Sequence, residues 1–288
     1  MSARPPGAFT AGFAWPAPAK LNLFLHVTGR RADGYHELQT LFQFLDLADR
    51  LYFVPRGDGV IRRLDGPAEV HEADDLAVRA AHAIQRASGC NLGADIRIDK
   101  RIPIGAGLGG GSSDAATTLV ALNRLWNLGL TTDELAQLGL HLGADVPVFV
   151  RGHAAWAEGV GERLSRMTPR EPWYLVLVPP VAVSTAAIFG AAELRRDCPR
   201  ITPADYAAGA TINVCEPVTT ARHPEVAEAL RWLKRHGPAR MSGTGAAVFL
   251  ACDTRAQAEA IARAGDAPGR CFVVRGRNRS PLLDAAAR

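Results

Sequence analysis

Lysine is almost missing from this chain. Lys20, Lys100 and Lys234 are the only lysines among 33 basic residues, which leaves 30 arginines. That excess reads as a compositional bias. The formal net charge is only +4, aromatics make up 7%, and no long basic stripe carries interleaved aromatics, so a nucleic-acid surface is not expected. Also absent is any apolar run of about 18 residues, which excludes a membrane-crossing helix. The opening segment MSARPPGAFTAGFAWPAPAK has no apolar stretch of signal-peptide type and is broken by prolines, and residues 1–14 read as a loose leader. Cysteine is sparse and scattered. Cys90, Cys198, Cys215, Cys252 and Cys271 form no CxxC pair and have no histidine-rich metal spacing beside them. Reduced thiols in a cytoplasmic protein are expected. What is plentiful is apolar content, 48% of 288 residues, enough to build one large core or two smaller ones.

Apolar periodicity and turn residues predict mixed structure. Strands are expected over 19–28, 38–47, 49–55, 94–98, 173–178, 247–251 and 271–275. Helices are expected over 74–88, 112–126, 132–142, from Ser184 or Thr185 through Leu194, 224–236 and 254–264. Thr132 is a natural cap for the third, and Gly89 and Gly143 are natural stops. Without strict βα alternation, the pattern points to an α+β fold. A polar, proline-flanked stretch at Arg166–Glu171 suggests a boundary between residues 1–166 and 167–288.

The richest segment is RIPIGAGLGGGSSDAATTL, residues 101–119, with glycines at 105, 107, 109, 110 and 111 directly before a helix. Glycine permits φ > 0 and bares backbone N–H groups, and the helix start adds unpaired N–H groups and a partial positive charge. Such a junction suits a phosphate. Three familiar phosphate loops fit poorly. The GxGxxG here lies a third of the way into the chain, without an acidic strand end about 20 residues on, as a dinucleotide fold would have. No lysine follows the glycines, as a P-loop requires. The HRD and DFG signatures of protein kinases are missing. A ligand-free tight turn is the plain alternative.

Four other segments stand out. In Pro18-Ala-Lys20-Leu-Asn22, Lys20 and Asn22 share one strand face. In Gly143-Ala-Asp145-Val-Pro147, Pro147 pushes Val146 towards extended backbone, and Asp145 is either a turn residue or a carboxylate in need of a partner, with Lys20 a candidate. Asp33-Gly34-Tyr35-His36-Glu37 is a turn whose Tyr35 and His36 can stack on and hydrogen-bond a base, or simply pack. Met241-Ser-Gly-Thr-Gly-Ala-Ala-Val-Phe249 is either a tight bend or a second cradle facing the first.

Taken together, PAKLN, RRADGYHELQT, IPIGAGLGGGSSDAA, GADVPVF and MSGTGAAVF resemble, in order and spacing, the GHMP kinase superfamily of small-molecule kinases. The resemblance runs from about Ala17 to Pro281, and the DGYHE turn is similar to that of members whose acceptor alcohol carries a cytidine diphosphate. It implies a two-domain α+β fold with the site in the cleft between domains, and ATP as phosphoryl donor. Pro103, Ile104, Gly105, Ala106, Gly107, Leu108, Gly109, Gly110, Gly111, Ser112 and Ser113 would wrap its phosphates, with Lys100 lining the nucleotide pocket. Asp145 would take the hydroxyl proton, and Lys20 would keep Asp145 ionised and meet the reacting phosphoryl group. Asn22 would contact the acceptor. Tyr35, His36 and Phe189 would clamp the cytosine, with Thr185 nearby. Mg2+ would bridge phosphate oxygens. No protein ligand is assigned to it, although Ser113 and Asp114 stand close in sequence, and Asp114 equally suits a helix start. Where the family often has Asn-Leu, this chain has Asp75-Leu76, and Asp75 can accept from an adenine amino group but cannot donate. The working unit implied is a monomer or weak homodimer, free of nucleic acid and membrane. The rivals are a kinase of the same superfamily acting on homoserine or mevalonate, a nicotinamide-dependent oxidoreductase, and a non-catalytic nucleotide-binding module.

Overall fold

The computed structural model describes residues 12–209 and 211–288, so most of the expected loose leader lies outside the described residues. The first half runs β1 (Trp15–Arg30), β2 (His36–Arg56), β3 (Ile61–Asp65), α1 (Leu76–Ser88), β4 (Gly93–Asp99), α2 (Gly110–Leu125), α3 (Thr132–Leu140), α4 (Val146–Arg151), β5 (Ala155–Gly159) and β6 (Arg163–Arg166). The second runs β7 (Trp173–Val178), α5 (Thr185–Phe189), α6 (Pro203–Ala207), α7 (Cys215–Arg222), α8 (Pro224–Lys234), β8 (Arg240–Met241), β9 (Val248–Cys252), α9 (Arg255–Ala262), β10 (Arg270–Arg277) and α10 (Pro281–Ala286).

The strands form one sheet in the order β3-β4-β2-β10-β7-β9-β8, with β1 and β5 also on β2, and β6 on β5. Only β3 and β4 run parallel. The two halves meet where β10 pairs with β2, Gly276 opposite Leu45 and Arg277 opposite Phe44. The expected strands at 38–47 and 49–55 are a single strand, because β2 changes partners along its length: β5 over Leu38–Phe42 and β4 over Arg50–Arg56.

Helices α1 and α2 pack on the first half of the sheet. The buried face of α1 is Ala77, Val78, Ala80, Ala81 and Ile84, at helical spacing. The start of α2 is buried all round from Ser113 to Leu119, and its small residues Ala115, Ala116, Thr117 and Thr118 allow that close approach. In the second half, α8 lays Val226, Ala229, Leu230 and Leu233 into a core with Leu175, Leu177, Val248 and Leu250. A third cluster joins the halves and includes Leu21, Leu41, Leu45, Val176 and Val274. It also holds Ala106 and Leu108 from the glycine segment.

Three local expectations are corrected. Pro147 does not extend the chain; it sits in the first turn of α4, where its missing N–H has no partner to lose. α5 stops at Phe189 rather than Leu194, because Arg196 takes the Phe189 carbonyl that the next turn would use, and it also holds the carbonyls of Ala191 and Leu194. Thr131, not Thr132, caps α3, in a reciprocal pair with Glu134.

Candidate active site

The glycine segment enters from β4 and turns into α2, two residues earlier than the sequence suggests. Its apolar side chains Ala106 and Leu108 are buried, 2% and 1% exposed, and burying a leucine is worth roughly 1.5–3 kcal/mol. Those two anchors turn the intervening backbone towards a cleft of about 580 Å3. At Gly107, φ is +73°, and a Cβ would lie 2.6 Å from the Gly245 carbonyl oxygen and 2.7 Å from that of Ser242. At Gly109, φ is also +73°, and a Cβ would meet Phe149 at 2.9 Å and the Lys20 side chain at 3.0 Å. No other residue type fits either position without displacement. Gly109 caps α2, so the first free N–H groups of that helix open on the cleft.

The far side of the loop is stitched to both halves. Its Leu108 carbonyl accepts from Lys20 N–H at 2.9 Å, its Ala106 carbonyl from Ala247 N–H at 2.9 Å, and its Gly107 carbonyl from the Ser242 hydroxyl at 3.1 Å. The segment 241–249 therefore braces the first loop, and its Gly243 and Thr244 line the same cleft. Every residue from Pro103 to Ser112 lines the cleft, whereas Ser113 does not. Ser113 faces the packed side of α2, fully buried, with its hydroxyl unpartnered.

Lys20 and Asp145 meet here from β1 and the start of α4. Lys20 Nζ is 3.0 Å from Asp145 Oδ2, with the lysine side chain 4% exposed and the aspartate 32%. Asp145 stands at the N-cap position of α4 yet makes no capping bond, so its carboxylate is left for Lys20 and the cleft. Asn22, on the same strand face, accepts from Lys20 Nζ and donates to Thr40 Oγ1 at 3.0 Å. The Phe42 ring lies 5.2 Å from Lys20 Nζ.

Lys100 reaches the cleft but is held by two carboxylates, Asp49 Oδ2 at 2.6 Å and Asp114 Oδ2 at 2.8 Å. Burial disfavours the Lys100 charge, but the two aspartates outweigh it and raise its pKa. Burial drives the Asp114 carboxyl far above the ordinary range, against the pull of Lys100. Asp49, fully buried, also accepts the backbone N–H groups of Arg101 at 2.6 Å and Ile102 at 2.8 Å. One carboxylate thus holds the entry to the loop and, through Lys100, its exit. Asp75 lines the cleft too, but accepts from Ala77 N–H as the cap of α1 and pairs with Arg63 at 2.6 Å.

At the other end stand Thr185 and Phe189, both on the cleft wall. Thr185 Oγ1 is 3.1 Å from Thr244 Oγ1. The His36 ring packs 5.3 Å from Phe189, tilted 31°. His36 is not itself on the cleft wall, and neither is Tyr35. An Asp33-centred turn, closed by Tyr35 N–H on Asp33 Oδ1 at 3.1 Å, leaves its ring 65% exposed and off the cleft wall. Sequence reasoning missed Asp49, Thr244 and Arg196. The resemblance named Lys100 but neither of its carboxylate partners, and nothing distinguishes Arg196 among 30 arginines.

Comparison with known proteins matches residues 75–153 to the family model "GHMP kinases N terminal domain" and residues 195–271 to "GHMP kinases C terminal". A 4-diphosphocytidyl-2-C-methyl-D-erythritol kinase from Halorhodospira halophila is 57% identical over 93% of this chain and 94% of its own. A crystal structure of 4-(cytidine 5'-diphospho)-2C-methyl-D-erythritol kinase superposes with a TM-score of 0.79 at 36% identity, over 92% of this chain and 99% of that one. A homoserine kinase from Cytophaga hutchinsonii has a TM-score of 0.70 at 14% identity, over 96% and 98% of the two chains, a likeness of fold alone.

Proposed function

The chain belongs to the GHMP kinase family, and from that premise we propose that it transfers the γ-phosphoryl group of ATP to the 2-hydroxyl of 4-diphosphocytidyl-2-C-methyl-D-erythritol, a step of non-mevalonate isoprenoid synthesis. The observation that carries this reading is the Lys20–Asp145 pair, 3.0 Å apart, in the same cleft as a loop of bare N–H groups. Phosphoryl transfer asks a protein chiefly for positioning and charge stabilisation. Main-chain N–H groups between Pro103 and Ser112, with the start of α2, take the negative charge of the phosphates. Asp145 accepts the proton of the acceptor hydroxyl, the oxygen bonds to the γ-phosphorus, and the bond to the β-phosphate oxygen breaks to release ADP. Lys20 balances the charge of Asp145 and of the moving phosphoryl group. Asn22 orients the acceptor. Lys100, already committed to two carboxylates, shapes the nucleotide side rather than lending a free charge. Phe189, His36 and Thr185 hold the cytosine end, with Tyr35 a further contact to that base.

Among the described residues no three His, Cys, Asp or Glu side chains are grouped to cage a metal alone. Ser112 and Asp145 line the cleft, and hard oxygen donors of their kind suit Mg2+ carried mainly by phosphates and water. When bound, that ion neutralises triphosphate charge. Residues 1–166 and 167–288 are read as two domains, supported by family matches on either side of the division. A monomer or weak homodimer suffices, since all these residues come from one chain. Five free cysteines fit a reducing cytoplasm, and among the described residues no helix is long and apolar enough to cross a membrane.

The test is to incubate the protein with ATP and the cytidine-bearing acceptor and follow ADP and the 2-phosphorylated product by 31P NMR. Equal turnover of homoserine, mevalonate or a cytidine-free methylerythritol phosphate would overturn the assignment.

A further inference from the structure

Arg196 has an unusual set of partners. Its guanidinium pairs with no carboxylate among the described residues. Nη1 donates to the Leu194 carbonyl at 2.9 Å, and Nη2 to those of Phe189 at 2.9 Å and Ala191 at 2.7 Å. Nε donates to His36 Nε2 at 3.0 Å. One rigid fork therefore joins the last turn of α5 to the first residue of β2, His36, which lies 160 positions from Arg196. It also fixes the imidazole. A guanidinium cannot accept, so His36 Nε2 must carry the lone pair, and the ring proton of the neutral form resides on Nδ1. Burial, with Arg196 and Arg30 nearby, lowers the His36 pKa and so favours that neutral form.

We propose that Arg196 is the positioning residue for acceptor specificity: it sets the His36 tautomer and holds His36 against Phe189, so that the pair selects a base offering a hydrogen-bond acceptor atom to Nδ1–H. The ligand class is a pyrimidine nucleotide whose ring carbonyl or unprotonated ring nitrogen lies beside Phe189. A base with a donor at that position meets a second donor and is disfavoured. This deepens the kinase reading given above and rests on it for the identity of the base.

The experiment has two arms. In the first, long-range 1H–15N NMR of uniformly labelled protein reads the histidine tautomers, with His36→Gln identifying the His36 signals. Wild type should show protonated Nδ1 and bare Nε2, and Arg196→Met should lose that preference. In the second arm, steady-state kinetics are measured on Arg196→Met, His36→Leu, His36→Gln and the double variant Arg196→Met/His36→Leu. Losing one oriented hydrogen bond should raise the acceptor KM about tenfold in Arg196→Met, with kcat and the ATP KM within about twofold. Glutamine can accept from Arg196 and still donate, so His36→Gln should retain most acceptor affinity where His36→Leu does not. The double variant should be no worse than His36→Leu alone. Protonated Nε2 in the wild type overturns the inference, as does an equal rise in both KM values. The tautomer arm needs no turnover, so it stands even if the cytidine-bearing acceptor proves inactive and the kinase reading falls.

Discussion

Replacing Asp49 and Asp114 one at a time should have very unequal effects, although both carboxylates hold the same lysine. Asp49 is fully buried and accepts three hydrogen bonds, from Arg101 N–H at 2.6 Å, Ile102 N–H at 2.8 Å and Lys100 Nζ at 2.6 Å. In Asp49→Asn the amide oxygen can serve the two backbone groups only by turning its NH2 towards the ammonium, donor against donor. Removing one partner of a buried ion pair costs about 3–5 kcal/mol, and since Lys100 keeps Asp114 the lower end applies, about 3 kcal/mol. At about 2–4 °C per kcal/mol, Tm should fall by roughly 6–12 °C. The ATP KM should rise with it, because the loop entry is no longer held. Asp114 differs: its Oδ1 has no partner, and burial opposes its charge. In Asp114→Asn the amide oxygen still accepts from Lys100, the lost attraction is offset by the relieved burial of charge, and the change should be about 1 kcal/mol or less. The pH trend separates the two further. With a folded-state pKa above the unfolded one, Asp114 gives up its proton at higher pH in the folded chain than in the unfolded chain, which ionises near pH ~4. Wild type therefore loses stability from this group as pH rises past about 4, Asp114→Asn does not, and their difference should move in favour of the variant. Thermal and urea denaturation from pH 4 to 8 measures all of this. An Asp114→Asn protein as destabilised as Asp49→Asn at pH 7 would refute the reasoning.

Asp145→Asn should lower kcat by roughly 10²–10⁴ with little change in either KM, as expected of a lost general base, and near-normal turnover in a coupled ADP assay would remove Asp145 from that role. Gly107→Ala places a Cβ against two carbonyl oxygens at positive φ, so it should cost at least about 1 kcal/mol and raise the ATP KM; unchanged Tm and KM would contradict the loop geometry. His26 is buried in β1 with both ring nitrogens unpartnered, and burial lowers its pKa. Its neutral form is the folded form, so as pH falls below about 6.5 the unfolded state takes up the proton first and stability declines. His26→Leu should flatten the fall of Tm between pH 7 and 5, and identical slopes would argue against burial as the cause.

Most of the site could be read from the residues because its chemistry is local. The glycines announce a backbone that must pass through positive φ, and alternation along β1 puts Lys20 and Asn22 on one face. The Lys20–Asp145 pairing was inferable as a carboxylate in search of a cation. What stayed hidden depends on residues far apart in the chain. Asp49 lies between two ordinary strand stretches, and its importance exists only once β2 runs beside the loop entry. Arg196 becomes distinctive only when α5 and the start of β2 are brought together. The same distance effect explains the missed ends: α5 is cut short by a side chain seven residues beyond it. Asp75 lines the cleft, but its carboxylate is occupied as a helix cap and as the partner of Arg63, neither of which the sequence signals. The extended reading of Val146 failed because Val146 is itself the first residue of α4, whose buried packing overrides the extended bias that proline places on its predecessor.

The carbonyls of Ala106, Gly107 and Leu108 are all taken up by groups behind the loop. The face left for a ligand is consequently donor-only, with its polarity set by peptide geometry and not by any titrating or mobile side chain. Affinity built this way should vary little with pH across the neutral range.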